Sequence, residues 1–115
     1  MNQEKNHEIS LQTATEMTRL YRANRPGNFP LSEAFGVAAV QKLLATKGAA
    51  YLRVYYGMKE DREVHAILVA ADADGQDILP EAGAGSASSE EGGILEDAFR
   101  CPPFCPGGGP PLGGQ

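Results

Sequence analysis

Two runs of β-branched and aromatic residues lie close together mid-chain, Ala49-Ala50-Tyr51-Leu52-Arg53-Val54-Tyr55-Tyr56-Gly57 and Val64-His65-Ala66-Ile67-Leu68-Val69-Ala70-Ala71. Bounded by Gly or by charge, they are predicted to form paired strands. Gly57 to Arg62, polar and without helical periodicity, is the expected hairpin connection. Asp74-Gly75 marks a second turn, because that pair tolerates positive φ, and Gln76 to Leu79 then supplies a short third strand. Side chains alternate faces along a strand. If Tyr56 pairs with Val64, then Ala50, Leu52, Val54 and Tyr56 share a face with Val64, Ala66, Leu68 and Ala70 and make an apolar floor. The opposite face collects Tyr51, Arg53, Tyr55, His65, Ile67 and Val69, too apolar for plain solvent and too polar for a dry core. A slip of one residue would mix the two sets.

Upstream, Ser10 is a predicted helix cap for about Leu11 to Asn24, and Thr13 with Glu16 offers a capping box one turn later. Leu11, Ala14, Met17 or Thr18, and Tyr21 recur at helical spacing, with Leu20 widening the stripe. Asn24-Arg25-Pro26-Gly27-Asn28 ends that helix, since Pro-Gly forces a turn. Phe29-Pro30-Leu31 is expected to be extended. A second helix is predicted from about Val37 to Thr46, burying Val37, Val40, Leu43 and Leu44 and closed by Gly48. Ser32 to Gly36 reads either as a preceding turn of that helix or as a break before it. The predicted fold class is therefore α+β: two N-terminal helices on one face of a small antiparallel three-stranded meander, with a flexible Gly/Pro-rich C-terminal tail. This arrangement leaves the face of Tyr51, Arg53 and Tyr55 uncovered.

A chain of 115 residues has room for one domain. Residues 1–8 read as a loose lead-in, 9–79 as the domain, 80–93 as a flexible linker and 94–115 as a Cys/Pro/Gly-rich tail. From Pro80 to Gln115, 15 of 36 residues are Pro or Gly, so the ordered part is small enough for docking of the tail or of a second chain to matter. Ile94, Leu95, Phe99 and Phe104 restore apolar character beyond the linker and read as a tethered docking segment, reaching its own chain or another. The net charge of −5 divides into +3 over residues 1–57 and −8 over residues 58–115. That balance disfavours nucleic-acid backbone as a partner. No transmembrane-length apolar run is present, and Met1 to His7 lacks the apolar core of a signal peptide. Cytoplasmic residence is the expectation, with specialised export left open.

Few residues carry recognisable chemistry. Tyr51, Arg53 and Tyr55 suit either stacking of flat groups or the centre of a protein interface, and the acidic balance favours cover by protein. Asp72-Ala73-Asp74-Gly75-Gln76-Asp77 departs from the calcium-loop pattern, with Gly two positions early, and reads as a hairpin turn. Cys101 and Cys105 supply two thiolates where structural zinc needs four ligands. They are weak metal candidates, read as reduced thiols in a stiff Pro-rich segment, with a small-loop disulfide after export as the alternative. His65 is a possible acid or base without an obvious partner. Arg19, Arg22 and Arg25 read as a solvated face. No phosphate loop or nucleophile motif appears, and no cofactor is expected.

Tyr21-Arg22, Phe29-Pro30, Arg53-Val54-Tyr55-Tyr56-Gly57, Leu68 through Gly75 and Cys101-Pro102-Pro103-Phe104-Cys105-Pro106 together give the chain a likeness spanning most of its length. It resembles a group of small bacterial proteins with such a strand and such a tail. The resemblance implies no activity; it does imply that the Cys-Pro tail is native, whereas Ala82 to Gly93 is peculiar to this chain. The leading functional expectation is a non-enzymatic interaction or assembly component, engaging itself or another protein through the open sheet face and the docking segment. Two alternatives stand beside it. One is a small-ligand or catalytic module at Tyr51, Arg53, Tyr55 and His65; the other is an effector or immunity-type protein whose acidic half caps a basic target.

Overall fold

The computed structural model describes residues 5–80, 93–107 and 112; all but the end residues of the expected linker at 80–93 lie outside them, as do residues 1–4 and most of the Gly/Pro-rich end. Helix α1 (Leu11–Asn24) starts where Ser10 caps it, the Thr13 N–H donating to Ser10 Oγ at 3.0 Å. It ends in extended Arg25, just before Pro26. Strand β1 (Ser32–Ala34) occupies the segment whose sequence was ambiguous, and helix α2 (Val37–Leu44) follows it. Gly48, at φ 85°, supplies the left-handed residue after α2 that a side chain would strain.

Strands β2 (Tyr51–Met58) and β3 (Val64–Ala71) then form the antiparallel hairpin. Tyr56 pairs with Ala66 and Met58 with Val64. The register thus differs by two residues from the expected Tyr56–Val64 pairing, and because two is the period of a strand, each side chain keeps its assigned face. Strand β4 (Asp77–Ile78) returns after a turn in which Gly75 has φ 84°. The Asp72 carboxylate accepts from the Asp74 and Gln76 N–H groups there, so this acid organises the turn.

The α+β class stands, but the three-stranded meander is only part of the architecture. The tail adds β5 (Ile94–Leu95) and β6 (Phe99–Cys101). Strand β5 joins β3 to complete a four-stranded sheet, and β6 pairs with β1 in a separate two-stranded sheet. Within this chain the tail therefore docks by strand pairing, on the side of β3 opposite β2.

One edge of β3 is continuous with β2, and the other is assembled from pieces. The Val64 N–H donates to the Asn28 carbonyl at 3.1 Å, and the Val64 carbonyl accepts from Arg100 Nη2 at 3.0 Å. The Ala66 N–H donates to Glu33 Oε1 at 2.9 Å. Leu68 and Val69 pair with β5, and Ala70 and Ala71 with β4. A buried strand needs a partner for its polar backbone, and here two side chains stand in where no strand reaches.

The core lies where α2 meets this strand. Leu43, Leu68 and Ala70 form its buried centre, with Phe35, Val40, Ala49 and Leu95 packed against them. Helix α1 does not join it: none of its residues is buried, and Leu11, Met17 and Leu20 are exposed. The expected packing of both helices on the sheet is corrected to α2 alone, with Val37 and Leu44 also left exposed. Among the described residues α1 is tethered at its C-terminal end, where the Tyr21 hydroxyl donates to the Pro30 carbonyl and Arg22 to that of Leu112.

The role of Glu33 is open to measurement. Glu33→Ala leaves the Ala66 N–H unpaired and is expected to cost about 1–3 kcal/mol. Glu33→Gln keeps a carbonyl acceptor and should lose less. Urea unfolding of the two variants gives the ordering; equal losses would place the cost elsewhere.

Candidate interaction surface

The two faces of the β2–β3 hairpin have different fates. The face carrying Tyr51, Arg53 and Tyr55 was expected to be open, and much of it is closed by its own side chains. Arg53 Nη1 lies 2.6 Å from Asp77 Oδ1 and also donates to the Gly75 carbonyl at 2.9 Å. The Tyr55 hydroxyl donates to the other oxygen, Asp77 Oδ2. Arg53 and Tyr55 stand on β2 and Asp77 on β4, so this clamp spans the central strand. Under it Ala71 lies between Tyr51 and Asp77 in the ladder, and Val69 between Arg53 and Ile94. Val69 is 2% exposed and offers no surface to a partner. Tyr51, Arg53 and Ile67 are half-buried, and Tyr55 is the most exposed of the expected set at 44%.

At the other end of the same face is His65, 8% exposed. Its Nε2 is 3.2 Å from Glu63 Oε1 and its Nδ1 3.0 Å from Glu96 Oε1. Lys59 reaches Glu96 at 3.7 Å and Arg100 reaches Glu63 at 3.8 Å. Glu96 follows β5, so the tail supplies half of the charge around the imidazole. Both ring nitrogens face carboxylates within the chain, which ties the ring into the fold. The expected constellation of Tyr51, Arg53, Tyr55 and His65 therefore divides into two separate clusters. Sequence reasoning missed Asp77 and Glu96, the acids that organise them, because nothing in their spacing reveals the register that brings them in.

Of the expected docking segment, Leu95 packs against the core and Ile94 is half-exposed in β5. Phe99 and Phe104 meet edge-to-face with ring centroids 5.2 Å apart, both largely exposed. Cys101 and Cys105 form a disulfide, which corrects the expectation of reduced thiols and removes both as metal ligands. Among the described residues no cluster of His, Cys, Asp and Glu has the makings of a metal site.

The open surface is instead the side expected to be the apolar floor. Strand β2 is an edge strand: it pairs with β3, and no other strand pairs with it among the described residues. The Lys59 N–H to Glu63 carbonyl bond at 3.0 Å fixes which residues exchange hydrogen bonds with β3. By antiparallel alternation these are the odd-numbered ones, so the N–H and C=O groups of Leu52, Val54, Tyr56 and Met58 point away from the sheet. Their side chains share one face and are exposed, Tyr56 to 78%. Strand β3, flanked on both sides, is buried over most of its length.

Beside this edge a cleft of about 760 Å³ opens between the hairpin and the extended segment after α1, lined by Tyr21, Phe29, Leu31, Glu33, Val54 and Tyr56 among others. Glu33 is its acidic group. Oε1 is engaged by Ala66, whereas Oε2 is enclosed and without a hydrogen-bond partner among the described residues. No protein-family profile, curated protein or solved structure matches the chain, so the surface is read from its own geometry.

The clamp has a pH signature. The hydrogen bond from Tyr55, and then the Arg53 guanidinium, hold the Asp77 carboxyl below its ordinary value, while the Asp77 carboxylate pushes the Tyr55 hydroxyl up. A carboxyl with a lower pKa folded than unfolded stabilises above the unfolded value and loses that contribution as pH falls through the folded one. The stability gap between the native chain and Asp77→Ala should be full at neutral pH and close as pH falls below about 4. Urea midpoints across that range would test it; a gap independent of pH would assign the loss to packing.

Proposed function

We propose that the chain is a protein-interaction or assembly component, not an enzyme, and that it presents the outer edge of β2 to an extended strand of its partner. The carrying observation is one strand of eight residues whose outward backbone groups coincide with an exposed apolar row, Leu52, Val54, Tyr56 and Met58. Strand addition draws affinity from such main-chain groups and specificity from alternate side chains. Natural edge strands are usually blunted by Pro, Lys or a bulge. Tyr51 to Met58 contains neither Pro nor Lys, and its pairing with β3 is unbroken.

Several observations weigh against the other readings. A net charge of −5 disfavours nucleic acid. In the acidic second half, Glu63, Asp77 and Glu96 already face Arg53, His65, Lys59 and Arg100 within the chain, which weakens the case for that half as a cap on a basic target. No helix among the described residues is long and apolar enough to cross a membrane. Compartment is a further point: cytoplasmic residence and the Cys101–Cys105 bond pull in opposite directions, because disulfides persist in oxidising surroundings. Thiol labelling of protein taken directly from its native cell separates the two.

A second reading is favoured by the cleft, whose largely apolar lining includes one acidic residue, Glu33. That combination suits a small molecule with an apolar body and one hydrogen-bond donor. Its test is displacement of an environment-sensitive apolar dye, with Glu33→Gln as the comparison.

Replacing an outward residue by Pro tests the leading reading. Tyr56→Pro removes an N–H that β3 does not use, and Pro is tolerated on a strand edge. The variant should keep its thermal midpoint to within about 5 °C while losing capture of the partner. Capture that survives Tyr56→Pro would move the interface away from β2.

A further inference from the structure

The outward groups of β2 are arranged symmetrically, and their symmetry selects a partner. We propose that β2 pairs antiparallel with β2 of a second copy of this chain, about a two-fold axis beside Tyr55, joining two sheets into one. This rests on the proposed interaction role and names its occupant.

Leu52, Val54, Tyr56 and Met58 carry the outward N–H and C=O groups, and their midpoint is Tyr55. In antiparallel pairing of two identical strands, the register centred there sets Leu52 opposite Met58 of the second copy and Val54 opposite Tyr56 of the second copy. It is the one two-fold register in which all four outward residues meet outward residues. Centring one residue earlier or later leaves an end residue unmatched. The side chains agree with the backbone: Val–Tyr and Leu–Met pairs stack on one face, and aromatic with β-branched is a favourable cross-strand pair.

Charge agrees as well. Arg53 falls opposite Gly57 of the second copy, the one position in the strand without a side chain, and Lys59 falls opposite Tyr51. No two like charges face each other. Arg53 is the only charged residue in Tyr51–Met58 and is held by Asp77, so the paired strands are close to neutral although each chain carries −5. A contact of one surface with itself about a two-fold axis closes on itself and gives a dimer, not a filament. Two strands of this length form a small contact beside the roughly 1,200 Å² at which stable interfaces begin, so the dimer is expected to dissociate on dilution.

The experiment uses the full chain with its disulfide intact. Light scattering through a dilution series should give twice the monomer mass at high concentration and the monomer mass when dilute. Tyr55→Cys should form an intermolecular disulfide under mild oxidation, identified as a 55–55 cross-link by mass spectrometry. Leu52→Cys alone should not, whereas a mixture of Leu52→Cys with Met58→Cys should. Tyr56→Pro should remain monomeric with an unchanged far-UV spectrum. A chain that stays monomeric at every concentration, without the 55–55 cross-link, overturns the proposal. If its 52, 54, 56 and 58 amides are then protected from hydrogen exchange, the chain covers its own edge. A dimer that survives Tyr56→Pro and does not cross-link at 55 overturns it too, since association then lies on another surface. A monomer that captures a different protein in a Tyr56→Pro-sensitive way overturns self-pairing and leaves the interaction role intact.

Discussion

A strand in the middle of a small sheet has to find partners for its backbone on both sides, and in this protein that requirement falls on β3. Its hairpin partner β2 satisfies one side along eight residues. The other side has no single neighbour: the loop at Asn28, the carboxylate of Glu33, the guanidinium of Arg100, β5 and β4 each cover a short length of it. The tail's return and the burial of Val69 between β2 and β5 go with closing this edge. An amide or carbonyl left unpaired there is expensive, which is why charged side chains are recruited where backbone falls short.

The same constraint explains the contrast between the two strands of the hairpin. The sheet can be completed on the β3 side by those five pieces. Nothing among the described residues remains to complete it on the β2 side. The outcome is a domain whose interior is centred on one strand and whose neighbouring strand carries an exposed apolar row. Helix α1 offers no relief, since its own apolar stripe of Leu11, Met17 and Leu20 is also exposed.

Local signals made much of the fold legible. Ser10, Pro26 and Gly48 marked helix ends, and the alternation in both central runs divided the side chains correctly between faces even though the register differed by two. What was not legible was long-range. Nothing local to Ser32-Glu33-Ala34 announces a strand, because its partner lies at Phe99–Cys101. Ile94 and Leu95 were recognisable as apolar and tethered, but whether they would lie on a face or extend an edge depended on which edge was free. The candidate surface shows the same limit. The tyrosine-arginine face looked open because Asp77 was read as a turn residue, and the register that carries it over the central strand appears only in three dimensions. Conversely, Leu52, Val54 and Tyr56 looked internal because two helices were expected above them, and only α2 packs on the sheet.

The patched edge also sets an order of events. Glu96, Arg100 and the strands around them are separated by roughly thirty residues of chain from the hairpin they complete. While the chain emerges from the ribosome, the central strand exists for a time with the part of its second margin that β5 and Arg100 cover still bare. The contacts that finish it are distant in sequence and therefore slow to form. A product cut short before residue 94 would keep the hairpin, the Asn28 and Glu33 contacts and β4 but lose β5 and Arg100, leaving a gap at Leu68 and Val69 beside the open β2 edge, the kind of species that chaperones and proteases exist to intercept.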